Sequence, residues 1–158
     1  MRPLDAIIVA GGSGARFGAK KQFLDLCGRP VLAHAARSFL DHPAVGRVVV
    51  VVPPDDMGAA EALFGAEAPR LVVAEGGASR CESVARGLAH ASPGGTVLIH
   101  DGVRPFVTRP LIDRVLGGLE GAHGSIPALA VTDTLKEAHG EFVVRTVPRA
   151  GLYHVQTP

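Results

Sequence analysis

The sequence predicts an α/β protein built on a doubly wound, mostly parallel sheet. Three observations carry that prediction. Short apolar, β-rich runs recur without polar alternation, which is what strands buried on both faces need. Segments with helical spacing separate those runs, and strand–helix alternation builds parallel βαβ units. The length of 158 residues suits one domain with a real core.

The first run, 6–10 (AIIVA), leads straight into glycines. A helix is expected over 31–40, where Val31, Leu32, Ala35, Ala36 and Phe39 share a face. The runs 47–52 (RVVVVV) and 70–74 (RLVVA) read as the next strands. The segment 79–91 opens on Ser79-Arg80-Cys81-Glu82, a capping-box pattern, and is expected to turn Val84, Leu88 and Ala91 inward. A fourth strand follows at 96–100 (TVLIH), then a helix over 108–119 with Pro110 in its first turn. A fifth apolar run occupies 126–131 (IPALAV). The stretches 132–136 and 141–147, joined by 137–140, read as a hairpin rather than another βαβ unit. The last residues, 152–158, are extended and no helix closes them. The expectation is therefore one domain over 1–158, cut short at its C-terminus, with a hairpin arm at 132–150 projecting from it.

Composition narrows the function classes. A hydrophobic fraction of 47%, a charged fraction of 20% and a mean hydropathy of +0.26 exclude a disordered chain. The net charge of +1 gives no global attraction to nucleic acid or anionic lipid, so anion recognition must come from a local cluster. Aromatics make up 4% with no Trp, which argues against a base-stacking platform. Cys27 and Cys81 form neither a disulfide scaffold nor a C-x-x-C pair and are expected as buried thiols in a reducing compartment. The apolar runs are too short to span a bilayer, and 6–10 is too short for a signal-peptide core. These features predict a cytoplasmic protein with neither nucleic acid nor membrane as partner.

In doubly wound sheets, ligands bind outside the carboxyl ends of the strands. Directly after the first strand comes Gly11-Gly12-Ser13-Gly14-Ala15-Arg16-Phe17-Gly18-Ala19-Lys20-Lys21-Gln22. Three glycines in four positions let backbone amides converge on an oxyanion, and Arg16, Lys20 and Lys21 add three cations. A triphosphate needs that combination, with Arg for bidentate contact and Lys as a point charge. A tight turn with solvated basic residues is the plainer alternative. The Walker A spacing is absent, and the dinucleotide fingerprint G-x-G-x-x-G would need glycine where Phe17 stands. That absence leaves a nicotinamide-dependent oxidoreductase with only its sheet topology in support.

The fourth strand ends in His100-Asp101-Gly102-Val103-Arg104-Pro105. Asp101 falls where a carboxylate can hold Mg2+ against nucleotide phosphates, or else serves as a cap or turn aspartate. His100 reads as a packed, hydrogen-bonded histidine rather than a ligand. A second glycine turn, 76–83, precedes a helix N-terminus and could present amides and hydroxyls to a ligand, or be a plain capped turn.

Five collinear motifs carry a resemblance: A-G-G-S-G-A-R-F with K-Q-F (10–17 and 21–23), G-G-x-x-R-x-x-S-V (76–84), H-D-x-x-R-P (100–105), D-T-L-K (133–136) and V-P-R-x-G-L-Y-x-x-Q-T-P (147–158). Together they resemble the 2-C-methyl-D-erythritol 4-phosphate cytidylyltransferase family of non-mevalonate isoprenoid biosynthesis. The resemblance implies a Rossmann-like nucleotidyltransferase fold and a reaction of CTP with methylerythritol phosphate that releases pyrophosphate. It assigns Arg16 and Lys21 to catalysis, and Ala10, Gly11, Gly12, Gly77, Ser83 and Gly102 to the nucleotide. Asp101 is assigned to Mg2+, and Thr134, Arg149 and Arg104 to the acceptor's phosphate. It also implies a homodimer, in which the hairpin arm serves the neighbouring subunit's site.

Two departures accompany the match. The family continues past Q-T-P into a segment with a second metal-binding aspartate and an acceptor-binding lysine, neither present here, so the chain is expected to be a fragment of a complete enzyme. Ala78 stands where an acidic residue is common. Two other functions fit the same motifs: a cytidylyltransferase for another alditol phosphate, such as ribitol 5-phosphate, and a catalytically incomplete nucleotide-binding module.

Overall fold

The computed structural model describes residues 3–12, 19–65 and 69–156. The chain divides into two units, Met1–Ile112 and Asp113–Pro158.

The first unit holds a four-stranded, all-parallel sheet. Its strands are β1 (Leu4–Val9), β4 (Arg47–Val52), β5 (Leu71–Glu75) and β6 (Thr96–Asp101), in the order β5-β4-β1-β6. Between β1 and β4 come a small hairpin, β2 (Asp25–Leu26) and β3 (Arg29–Pro30), and helix α1 (Val31–Leu40). Helix α2 (Met57–Phe64) joins β4 to β5, and α3 (Arg80–Leu88) joins β5 to β6. The chain thus moves outward from β1 to β5, and α3 then carries it back to the far side of β1.

This reversal puts helices on both faces. Ile7, Val9, Val49, Val51 and Ala74 form one apolar cluster, with Val84 of α3 packed against it. On the opposite face Phe39 of α1 meets His100, whose register partner is Ile8, with ring centroids 5.0 Å apart. Because β1 and β4 are covered on both sides, Ala6, Ile7, Ile8 and Val48 through Val52 have no exposure, which explains runs without polar alternation. The outer strand β6 departs from that expectation. Ile99 stays 38% exposed, since α3 lies over β4, β1 and β5.

The stripe expected on α3 is also shifted. Ser83, Val84 and Gly87 face inward, whereas Leu88, where the helix ends, is 45% exposed. Gly87 sets this orientation: a Cβ there would lie 2.7 Å from Ile7 Cγ2 and 3.0 Å from Val51 Cγ2. The helix rests on the sheet at a residue without a side chain, and the apolar Leu88 turns outward.

Both cysteines are exposed, contrary to expectation. Cys27 and Gly28 form the two-residue turn between β2 and β3, with φ of 54° and 83°, and such a turn sits at the surface. Cys81 lies on the outer side of the first turn of α3.

Helix α4 (Arg109–Gly117) spans the boundary between the units. The second unit contains β7 (Ala128–Ala130), β8 (Leu135–His139), β9 (Phe142–Val147) and β10 (Tyr153–Val155). The run 126–131 was expected as a fifth buried strand, but its core, β7, is exposed and pairs antiparallel with β10. Paired among the described residues only with β10, three residues against three, β7 is covered on neither face. The expected hairpin is present as β8 and β9, with later boundaries: β8 runs to His139, and Gly140 (φ +59°) opens a two-residue turn. Glu137 pairs with Arg145 at 2.6 Å, and Lys136 Nζ donates to Thr146 Oγ1 at 2.7 Å. Phe142, Val143 and Val144 project from this hairpin into solvent.

Candidate active site

The reversal of chain order lies between β1 and β6, and a crevice opens at the carboxyl ends of strands flanking such a point. Val9, the last residue of β1, is in register with Asp101, the last of β6. Two of the three expected loops are therefore neighbours by construction.

Ala10 follows β1, buried, with its amide donating to Val51 O at 2.8 Å. Gly11 and Gly12 come next and are exposed. Arg16 and the rest of 13–18 lie outside the described residues. The chain re-enters the description at Ala19, and Lys21 begins a short 3-10 turn, Lys21–Phe23, with its side chain at the surface. Lys20, expected as a third cation for the anion, instead places Nζ 2.5 Å from Asp56 Oδ1. Gln22, almost fully buried, donates Nε2 to Gly12 O at 3.3 Å.

At the end of β6 the Asp101 carboxylate is 22% exposed and sits between two guanidiniums. Arg80 Nη2 reaches Oδ1 at 3.1 Å, and Arg104 Nε reaches Oδ2 at 3.1 Å. His100 is buried, and its Nε2 meets Arg104 O at 2.9 Å. Desolvation holds this imidazole below its ordinary 6.5, against the opposing pull of the Arg104 carbonyl, so it is neutral near pH 7. Packed and hydrogen-bonded, His100 is as expected. Gly102 is required by space: a Cβ would fall 2.8 Å from Leu32 Cδ1 and 2.9 Å from Ala10 Cβ.

The turn 76–79 is capped by its own helix. Ser79 Oγ accepts from Glu82 N at 3.1 Å, the expected half of the capping box. Glu82 Oε2 accepts instead from Ala78 N at 2.9 Å, and Ser83 Oγ accepts from Gly77 N at 3.1 Å. The amides of Gly77 and Ala78, expected to be open to a ligand, are thus already bonded. Gly77 has no alternative residue without movement, since a Cβ would stand 2.3 Å from the Glu82 side chain. Ser83 Oγ lies 3.9 Å from where a Gly11 Cβ would be, so this turn adjoins the glycine loop. In the second unit, Thr134 precedes β8 and Arg149 follows β9, both exposed, at the open base of the hairpin. Arg149 donates to the carbonyl of Thr132 there.

The sequence model of one family, described as IspD: 2-C-methyl-D-erythritol 4-phosphate cytidylyltransferase, matches residues 4–158. The chain belongs to this family. It is similar to a 2-C-methyl-D-erythritol 4-phosphate cytidylyltransferase of Cereibacter sphaeroides, with 46% identity over 97% of this chain and 70% of the relative. It is also similar to a bifunctional enzyme IspD/IspF of Rhodospirillum rubrum, with 45% identity over all of this chain but 42% of that protein. The chain therefore spans about two fifths of such bifunctional relatives. Among solved structures, a 4-diphosphocytidyl-2C-methyl-D-erythritol synthase from Anaerococcus prevotii matches with a TM-score of 0.85 at 28% identity, over 99% of this chain and 68% of that one. A Thermus thermophilus 2-C-methyl-D-erythritol 4-phosphate cytidylyltransferase matches with a TM-score of 0.73 at 38% identity, over the same shares.

Members of this cytidylyltransferase family are nucleotidyltransferases, and the expectation of Mg2+ can be tested against the donors at hand. Among the described residues no group of three or more His, Cys, Asp or Glu is placed to hold a metal. Mg2+ does not need one, because it is commonly held by one or two carboxylates with substrate phosphates and water completing the shell. Asp101, a hard oxygen donor beside the glycine loop, fits that shared mode. Its arginine partners are 41% and 50% exposed, and pairs so wet contribute only about 0–1 kcal/mol each, so a divalent cation can displace them.

Arg80 and Gln22 stand within the quoted motifs but were given no role, and Asp56 was passed over. The signal for Asp56 was available: 53–56 (PPDD) directly follows β4, again at a carboxyl end of the sheet.

Proposed function

We propose that this chain carries out the cytidylyl transfer for which its relatives are named: CTP and 2-C-methyl-D-erythritol 4-phosphate give 4-diphosphocytidyl-2-C-methyl-D-erythritol and pyrophosphate. The observation that carries the reading is the register of Val9 with Asp101, which sets a glycine loop and a carboxylate side by side at the switch point.

In this reading an oxygen of the acceptor phosphate attacks the α-phosphorus of CTP in line and pyrophosphate leaves, without a protein nucleophile. Catalysis is then positioning and charge stabilisation. Ala10, Gly11 and Gly12 hold the nucleotide, with Gly77, Ser83 and Gly102 around it. Arg16 and Lys21 balance charge that builds on the triphosphate. Asp101 holds Mg2+, which when bound neutralises phosphate charge. Arg104, already at that carboxylate, serves the acceptor's phosphate together with Thr134 and Arg149. The last two come from the neighbouring subunit's hairpin in a homodimer, and the exposed Phe142, Val143 and Val144 give that arm an apolar surface to bury. The working compartment in this reading is the cytoplasm.

The acceptor is tested by competition. With CTP, Mg2+, methylerythritol phosphate and ribitol 5-phosphate present together, the product mass is expected to be that of the methylerythritol conjugate. A ribitol conjugate as the main product would transfer the reading to another alditol phosphate.

A further inference from the structure

Asp56 is among the most buried charged residues described, and the transfer as outlined makes no use of it. The residue is 4% exposed in the short turn Pro54–Asp56 after β4. Both of its oxygens are engaged. Oδ1 takes the ammonium of Lys20 at 2.5 Å, and Oδ2 takes Nε2 of Gln22 at 3.5 Å. The same Gln22 nitrogen donates to the carbonyl of Gly12 at 3.3 Å. Gly12 and Lys20 bracket the segment that contains Arg16 and the third glycine of the loop.

From this geometry we infer that Asp56 is a positioning residue for the triphosphate: one carboxylate fixes both ends of the phosphate loop, Lys20 directly and Gly12 through Gln22. The inference rests on the nucleotide reading of that loop. One physical consequence follows. The Gly12 carbonyl is tied to Gln22, so an acceptor oxygen that would repel phosphate is held on another partner. Lys20 then acts through Asp56, and its ammonium is not a direct phosphate contact. Buried hydrogen bonds to charge are worth more than exposed ones, and a single broken partner leaves the others unsatisfied.

The test measures CTP affinity by calorimetry without acceptor, alongside acceptor KM and thermal stability. Asp56→Asn keeps the shape and removes the charge. It is expected to weaken CTP binding about tenfold, the loss typical of one charge-assisted bond, with acceptor KM unchanged. Lys20→Met is expected to weaken CTP binding in the same direction, Lys20→Arg to restore it, and the Asp56→Asn/Lys20→Met pair to lose no more than Asp56→Asn alone. Should Asp56→Asn fail to fold, the half-exposed Lys20 variants decide the matter. A variant set with lowered melting temperatures but wild-type CTP affinity would overturn the inference and leave the nucleotide reading standing. An unaltered chain that does not bind CTP would overturn both.

Discussion

The amide of Gly102 donates to the carbonyl of Val9 at 2.8 Å. This bond ties the first residue beyond β6 to the last residue of β1, across the point where the order of the chain reverses. It holds the start of the glycine loop beside Asp101 and leaves no room for a side chain between them. Gly102→Ala is expected to push on Leu32 and Ala10, because its Cβ would approach both within 3.0 Å. Overpacking of this kind costs about 1–3 kcal/mol, readable by chemical denaturation, with weakened CTP binding alongside. Wild-type stability and affinity in this variant would show that the crevice has slack that the geometry denies.

Asp101→Asn removes the charge that Arg80 and Arg104 share and the donor assigned to Mg2+. Turnover is expected to fall about a hundredfold, the usual scale for one preorganised electrostatic contact. The expected signature is that more Mg2+ recovers part of the loss. Turnover that is unchanged, or lost with no response to Mg2+, would count against the assignment.

How much of this was legible in the sequence depends on whether a residue acts through chain-local pattern or through distant contact. The four strands of the first sheet were readable because β1 and β4 are covered on both faces and β5 and β6 kept enough of the same apolar character. Ser79 as a cap was readable because its partner, the Glu82 amide, lies in the next turn of chain. His100 was read as a packed histidine from its place at the end of an apolar strand, although the ring it packs against, Phe39, is distant in sequence. Asp56 was not, since its partners stand 36 and 34 positions away. Leu88 was misplaced because periodicity cannot register how closely Gly87 lets α3 approach Ile7. The run 126–131 was misread because apolar composition does not distinguish a parallel core strand from the exposed partner of β10.

The Ala78 amide, followed by Arg86, holds the Glu82 carboxylate below its ordinary 4.5. A lowered carboxylate binds fewer protons folded than unfolded, so its contribution is present above about 4.5 and is lost as pH falls below that. Melting temperatures of wild type and Glu82→Gln should therefore differ most near neutrality and converge as pH drops below 4.5. A difference independent of pH would mean that Glu82 acts by shape alone.

The hairpin makes a separate prediction. Phe142 and Val144 of β9 are 80% and 60% exposed, and Val144 falls where the pairing with β8 shifts register. Replacing both with Asp is expected to convert the proposed dimer to monomer in sedimentation while leaving CTP affinity intact. A doubly substituted chain that remains dimeric would place the interface elsewhere.

Pyrophosphate release from CTP, Mg2+ and methylerythritol phosphate reads the proposed cytidylyl transfer itself. Release is expected only when both substrates are present, with one pyrophosphate for each cytidylyl conjugate formed. A folded, CTP-binding chain that releases no pyrophosphate with that acceptor, or releases it equally without it, does not carry out this transfer.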